Sequence, residues 1–200
     1  AQYPTMDERH PMVGQSPYSA SKIGADNLAV SYFRSFGTPV KIVRPFNIYG
    51  PRQSARAIIP SIIIQILNGQ RKLKLGKVEP TRDLTFVKDT VSGFLTIAKH
   101  TKFNGEYVNV GMKHEISILD LVHLIAKLMK TEVEITSEEQ RVRPTQSEVE
   151  RLYCENQKLV KATGWTPEFN LEKGLTETID WLTHNEQLYK SDIENFGIIV

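Results

Sequence analysis

Gly37 and Pro39 close a run of helical periodicity, and the residues that follow, VKIVRPFNIYGP, form a short β-rich stretch ending in Gly50-Pro51. A helix, a buried-strand run and a glycine-proline turn at the strand's C-terminal end are the grammar of interleaved α/β layers. The preceding helix opens with its own signals. Ser16 is placed to cap, Pro17 suits the first turn, and Ala25, Leu28, Ala29, Tyr32, Phe33 and Phe36 recur at helical spacing.

The alternation continues along the chain. From Ala57 to Leu67, isoleucines at 58, 59, 62, 63 and 66 make a helical stripe despite Pro60. RKLKLG, from Arg71, alternates like a strand; LTFV, from Leu84, leads into a helix whose inner face is expected to be Val91, Phe94, Leu95 and Ala98. EYVNVG, Glu106 to Gly111, reads as a further strand. Ser117 with Asp120 has the capping-box pattern ahead of Leu121, Val122, Ile125, Leu128 and Met129. TEVEIT alternates again, SEEQRVRPTQSEVER is the longest loop, and two more helices, near Asn156 to Thr163 and Leu171 to Thr183, flank GWTP. No sharp linker interrupts the mixture.

Composition excludes several classes of function. With 25 basic and 23 acidic residues the net charge is only +2, so no global field argues for nucleic acid or a membrane surface. The single cysteine, Cys154, reads as a small buried thiol, and the five histidines show no metal-ligand spacing, so no metal is expected. No apolar run approaches the roughly 20 residues of a membrane span and no signal-peptide pattern opens the chain, so a cytoplasmic protein is expected. The twelve glycines contain neither G-x-G-x-x-G nor a Walker A loop, so cradling of a pyrophosphate by backbone amides cannot be placed in these residues.

SPYSASK sets Tyr18 and Lys22 four residues apart, on one face of a helix. A cation beside a phenol favours the phenolate, which equips a tyrosine for proton transfer in an alcohol to ketone interconversion. Spacing alone does not separate this chemistry from a surface pair.

Context does. PYSASKIGAD, RPFNIYGPRQ, TRDLTFVKDTVSGF and RPTQSEVERL, in that order, resemble the extended short-chain dehydrogenase/reductase superfamily of NAD-dependent nucleotide-sugar epimerases and dehydratases. RPFNIYGPRQSARAIIP and RPTQSEVERL are most similar to 4,6-dehydratases acting on nucleotide-activated N-acetylglucosamine in legionaminic-acid-type biosynthesis. The resemblance implies the C-terminal part of a doubly wound Rossmann fold with an interleaved small substrate domain. Residues 1–50 and 84–112 would belong to the NAD-binding half, and 51–83 and 113–200 to the substrate domain. It also implies a family member cut just before its Tyr helix, and a homodimer formed through that helix and its neighbour, to which Tyr32, Phe33 and Phe36 could contribute.

By the same resemblance Tyr18 takes the proton from the sugar 4-hydroxyl, Lys22 holds the nicotinamide ribose, and Pro45 and Phe46 line the nicotinamide site. Asn47 contacts the phosphate region of the nucleotide sugar. Arg82 and Arg143 are phosphate and ribose ligands, with Arg56 a further candidate; guanidinium groups match phosphate oxygens bidentately. Backbone groups of Leu73, Lys74 and Leu75 would read the edge of the base, Glu148 would bond a ribose hydroxyl, and Arg151 would be structural. The family's acid/base pair for water loss lies upstream of the Tyr helix, so Asp7 and Glu8, in a Pro-flanked polar loop, are read as solvated. The leading expectation is a 4,6-dehydratase, with a 4-epimerase next and an inactive fragment or sugar-nucleotide binding module as the alternative of another class.

Overall fold

The structure is a computed structural model that describes residues 3, 5–137 and 149–189. In chain order its elements are α1 (Pro17–Phe36), β1 (Ile42–Pro45), β2 (Ile48–Tyr49), α2 (Ile58–Leu67), β3 (Lys72–Leu75), β4 (Thr81–Asp83), β5 (Thr85–Phe86), α3 (Val87–Lys99), β6 (Tyr107–Val110), β7 (Glu115–Ser117), α4 (Ile118–Leu128), β8 (Glu134–Ser137), α5 (Gln157–Thr163) and α6 (Leu171–His184). They group into two compact units: Ala1–Ile48 with Thr81–Glu115 and Pro144–Glu168, and Tyr49–Pro80 with Ile116–Arg143 and Phe169–Val200.

In the first unit β1 and β6 pair in parallel, Ile42 opposite Tyr107 through Pro45 opposite Val110. Ile97, Phe103, Val108, Val110, Leu159 and Trp165 form its core. Ser16 caps α1, and Gly37 ends it in the left-handed region at φ 67° with its N–H on the Phe33 carbonyl, a conformation glycine adopts without steric cost. Arg44 fastens α1 to β1. Its Nε and Nη2 reach Asp26 Oδ2 at 2.9 and 2.8 Å, and its guanidinium lies 4.0 Å from the centroid of Tyr107.

One expectation needs correction here. The inner face of α3 is Asp89, Thr90, Gly93 and Ile97, while Val91, Phe94 and Leu95 are exposed. Gly93 decides this: a Cβ there would meet Val110 Cγ1 at 2.8 Å, so the helix packs through its smallest residue. On α1 only Val30 is buried, and Leu28, Tyr32 and Phe36 of the apolar stripe face outward. Described residues 149–168 group with the first unit, as do 113–115. Leu159 and Trp165 enter its core, and Trp165 Nε1 donates to Ser92 Oγ at 2.8 Å.

In the second unit the isoleucine stripe of α2 buries Ile59, Ile62, Ile63 and Ile66 as the helix packs against α4, α6 and β3. Pro60 lies in the first turn of α2, where a missing N–H removes no intrahelical bond. β3 and β8 pair in parallel with Leu73 opposite Ile135. Ser117 caps α4 by accepting the Asp120 N–H at 3.0 Å. The Tyr49 hydroxyl donates to the Leu171 carbonyl at 3.2 Å and that of Tyr189 to the Gln53 carbonyl at 3.0 Å. Among the described residues, no helix is long and apolar enough to cross a membrane.

Candidate active site

Tyr18 is the second residue of α1, one turn before Lys22. The cap at Ser16 fixes that first turn, and the tyrosine is 72% exposed. The Lys22 ammonium stands 5.6 Å from the Tyr18 ring centroid. The structure therefore brings the two together as the spacing requires, at a helix end whose free N–H groups add partial positive charge.

Pro45, Phe46 and Asn47 follow one another at the C-terminal end of β1, where ligands of parallel α/β sheets gather. The Phe46 N–H donates to the Val110 carbonyl at 2.9 Å, and the Asn47 carbonyl accepts the Thr85 N–H at 3.0 Å. The Asn47 side chain does not complete this turn: its Nδ2 is buried without a hydrogen-bond partner, as is Thr85 Oγ1. A buried donor left unpaired costs about 1–3 kcal/mol, so Asn47 is a group waiting for an acceptor. Thr85 was not singled out by sequence, where it reads as one more strand former.

Arg82 is half-buried on β4 and donates from Nη1 to the Thr81 carbonyl at 2.8 Å. Beside it, Asp83 is fully buried. Its Oδ1 accepts the Met112 N–H at 2.9 Å and its Oδ2 the Cys154 N–H at 3.1 Å. Burial pushes the Asp83 carboxyl up, and these amides, with those of Lys113 and His114, oppose the shift. Burial, then the Asp83 charge, pushes the Cys154 thiol far up, as befits an inert buried thiol. Glu115 accepts from Thr81 Oγ1 and from Arg151 Nε, both at 2.8 Å, and the Arg151 guanidinium holds its carboxyl below the usual range.

Glu8 differs from the solvated loop expected of it, whereas the contacts of Asp7 stay within that exposed loop. Asp7 pairs with Arg9 Nη2 at 2.9 Å. Glu8 is half-buried, its Oε1 accepting the Asn109 N–H of β6 at 2.9 Å. The partner of Asp7 is local, and that of Glu8 is distant in sequence.

In the second unit Arg56 is exposed, and Leu73 and Leu75 are core side chains. At Lys74 the expectation that backbone groups read a base meets an occupant. Its N–H donates to Gln65 Oε1 at 2.8 Å and its carbonyl accepts from Gln65 Nε2 at 3.5 Å. Arg143 and Glu148 lie outside the described residues. Among the described residues no group of three His, Cys, Asp or Glu side chains is disposed to hold a metal.

Comparison with known proteins gives the fold and the family. A trifunctional UDP-glucose 4,6-dehydratase, 3,5-epimerase and reductase of Arabidopsis thaliana is 32% identical over 180 residues, which are 90% of this chain and 26% of that protein. The NAD complex of dTDP-glucose 4,6-dehydratase from Bacillus anthracis superposes with a TM-score of 0.84 at 28% identity, over 96% of this chain and 60% of that one. UDP-glucuronic acid 4-epimerase from Bacillus cereus, in complex with UDP-glucuronic acid and NAD, gives 0.82 at 26%, over 92% and 57%. The chain therefore spans less than two thirds of the length of each, and its fold is Rossmann-like. The family model described as GDP-mannose 4,6 dehydratase matches residues 1–178, and the chain belongs to that family of extended short-chain dehydrogenase/reductases.

Proposed function

We propose that this chain forms part of an NAD-dependent nucleotide-sugar 4,6-dehydratase whose substrate is a nucleoside-diphosphate N-acetylglucosamine. The observation that carries the reading is the exposed Tyr18 with the Lys22 ammonium beside its ring. The residues present fit the nicotinamide end of the dinucleotide, with a cation and a phenol on one helical face and Pro45 and Phe46 at the end of β1, and the unpaired buried amide of Asn47 suits the nucleotide sugar.

Tyr18 Oη takes the proton from the sugar 4-hydroxyl, and Lys22 Nζ donates to the nicotinamide ribose and keeps positive charge beside the phenol. NAD, when bound, supplies the acceptor for the C4 hydride and its return to C6. The Asn47 amide donates to the phosphate region. Guanidinium groups of Arg82, Arg56 and Arg143 neutralise the diphosphate, and Glu148 takes a ribose hydroxyl. In the proposed domain roles the first unit holds the cofactor and contributes Asn47 and Arg82 to the nucleotide sugar, and the second carries Arg56. The proposed assembly is a homodimer in which the outward face of α1 meets a second copy.

A 4-epimerase is the second reading, favoured by the likeness to the UDP-glucuronic acid 4-epimerase. It shares Tyr18 and Lys22 but returns the hydride to C4. The test incubates the protein with NAD and UDP-, dTDP- and GDP-linked N-acetylglucosamine and follows mass and C4 configuration. Loss of one water supports the dehydratase, and unchanged mass with inverted C4 makes it an epimerase. Unaltered substrates would leave an inactive fragment or a sugar-nucleotide binding module.

A further inference from the structure

We propose that Asp83 is a positioning residue that aims Arg82 at the phosphates of the nucleotide, by pinning β4 to two backbone segments distant in sequence. The proposal rests on the reading of Arg82 as a phosphate ligand.

Successive side chains of a strand point to opposite faces, so Thr81 and Asp83 share one face of β4 and Arg82 takes the other. Both neighbours on the shared face are tied. Asp83 holds the Met112 N–H at 2.9 Å and the Cys154 N–H at 3.1 Å, while Thr81 Oγ1 holds Glu115 Oε2 at 2.8 Å. The backbone is fixed as well: the Thr81 N–H donates to the Glu150 carbonyl at 2.9 Å, and the Thr81 carbonyl accepts from Leu152 at 3.2 Å.

An ionised carboxylate only accepts, and two oxygens facing main-chain N–H groups from separate segments fix its orientation. Gly111 makes the approach possible, since a Cβ there would stand 2.5 Å from Cys154 Sγ and 3.4 Å from Asp83 Oδ1. A guanidinium gripping a diphosphate bidentately needs its Cα held within a fraction of an ångström, and a rigid supporting shell supplies this. Asp83→Asn keeps the shape but turns an N–H toward an N–H, loosening the shell where Arg82 is mounted.

The experiment measures binding of UDP, dTDP and GDP, and of the corresponding nucleosides, to wild type, Arg82→Ala, Asp83→Asn and the double variant. With the tightest diphosphate, Asp83→Asn is expected to weaken binding about tenfold and to add nothing in the Arg82→Ala background, the signature of two residues acting as one. Nucleoside affinity is expected to stay unchanged. Thr81→Val, which loosens the other anchor without touching the buried carboxylate, is expected to give a smaller loss that also vanishes with Arg82→Ala; it decides the matter if Asp83→Asn does not fold. Equal loss of nucleoside and diphosphate, or a loss undiminished without Arg82, would make Asp83 a purely structural residue and overturn the proposal. If Arg82→Ala binds diphosphates as wild type does, or wild type binds none, the phosphate reading itself falls and takes this inference with it.

Discussion

Ser16 and Ser19 cap one another. The Ser16 hydroxyl accepts the Ser19 N–H at 3.2 Å, and the Ser19 hydroxyl accepts the Ser16 N–H at 2.9 Å. Tyr18 rides on the turn they close. Ser16→Ala is expected to cost about 1 kcal/mol of stability and to lower turnover by more than that loss alone would, because the tyrosine's turn frays. Thermal unfolding and initial rates of the same preparation check it.

Tyr18→Phe is expected to leave thermal stability within about 0.5 kcal/mol, since so exposed a ring packs against little. Turnover is expected to fall by roughly 10²–10⁴, the range of a lost proton-transfer group. A variant with wild-type turnover would remove Tyr18 from the chemistry.

Asp83 and Glu115 respond to pH in opposite senses. Burial raises the folded pKa of Asp83, so its contribution to stability is present below the unfolded carboxyl pKa and is lost as pH rises through the folded value. Glu115 is lowered chiefly by Arg151. Its contribution is present above the unfolded pKa and is lost as pH falls through the folded value, about 0.2–1 kcal/mol for so accessible a pair. Denaturant titrations across the acid range are expected to lose the first slope in Asp83→Asn and the second in Glu115→Gln.

Gly111→Ala is expected to destabilise by about 1–3 kcal/mol, because the added methyl would stand 2.5 Å from both Cβ and Sγ of Cys154. Cys154→Ala in the same chain removes one of those two clashes and should restore part of the loss in melting temperature.

Leu28, Tyr32 and Phe36 form the outward stripe of α1. Analytical ultracentrifugation is expected to show a dimer for wild type and a monomer for Tyr32→Glu. A monomeric wild type would leave the stripe to some other contact.

Local chemistry made much of this legible. The cap at Ser16, the stop at Gly37, the isoleucine stripe of α2 and the cap at Ser117 all follow from neighbours within a turn, and so does the meeting of Tyr18 with Lys22. What escaped was long-range. Val91, Phe94 and Leu95 read as the inner face of α3 by hydrophobicity, yet the close approach of Val110 at Gly93 selects the opposite face. Glu8 read as a solvated carboxylate and Asp83 carried no assignment, because their partners, the amides of Asn109 and of Met112 and Cys154, come from segments no local pattern connects to them.

The clasp between Gln65 and Lys74 has a consequence for how the protein behaves in a crowded solution. A short parallel ribbon such as β3 with β8 offers bare amide and carbonyl groups to any passing chain with strand character. At Lys74 one side-chain amide from a neighbouring helix supplies both the donor and the acceptor that an incoming strand would bring. Gln65 is in effect a third strand one residue long, and it guards the sheet against recruitment into intermolecular β-structure.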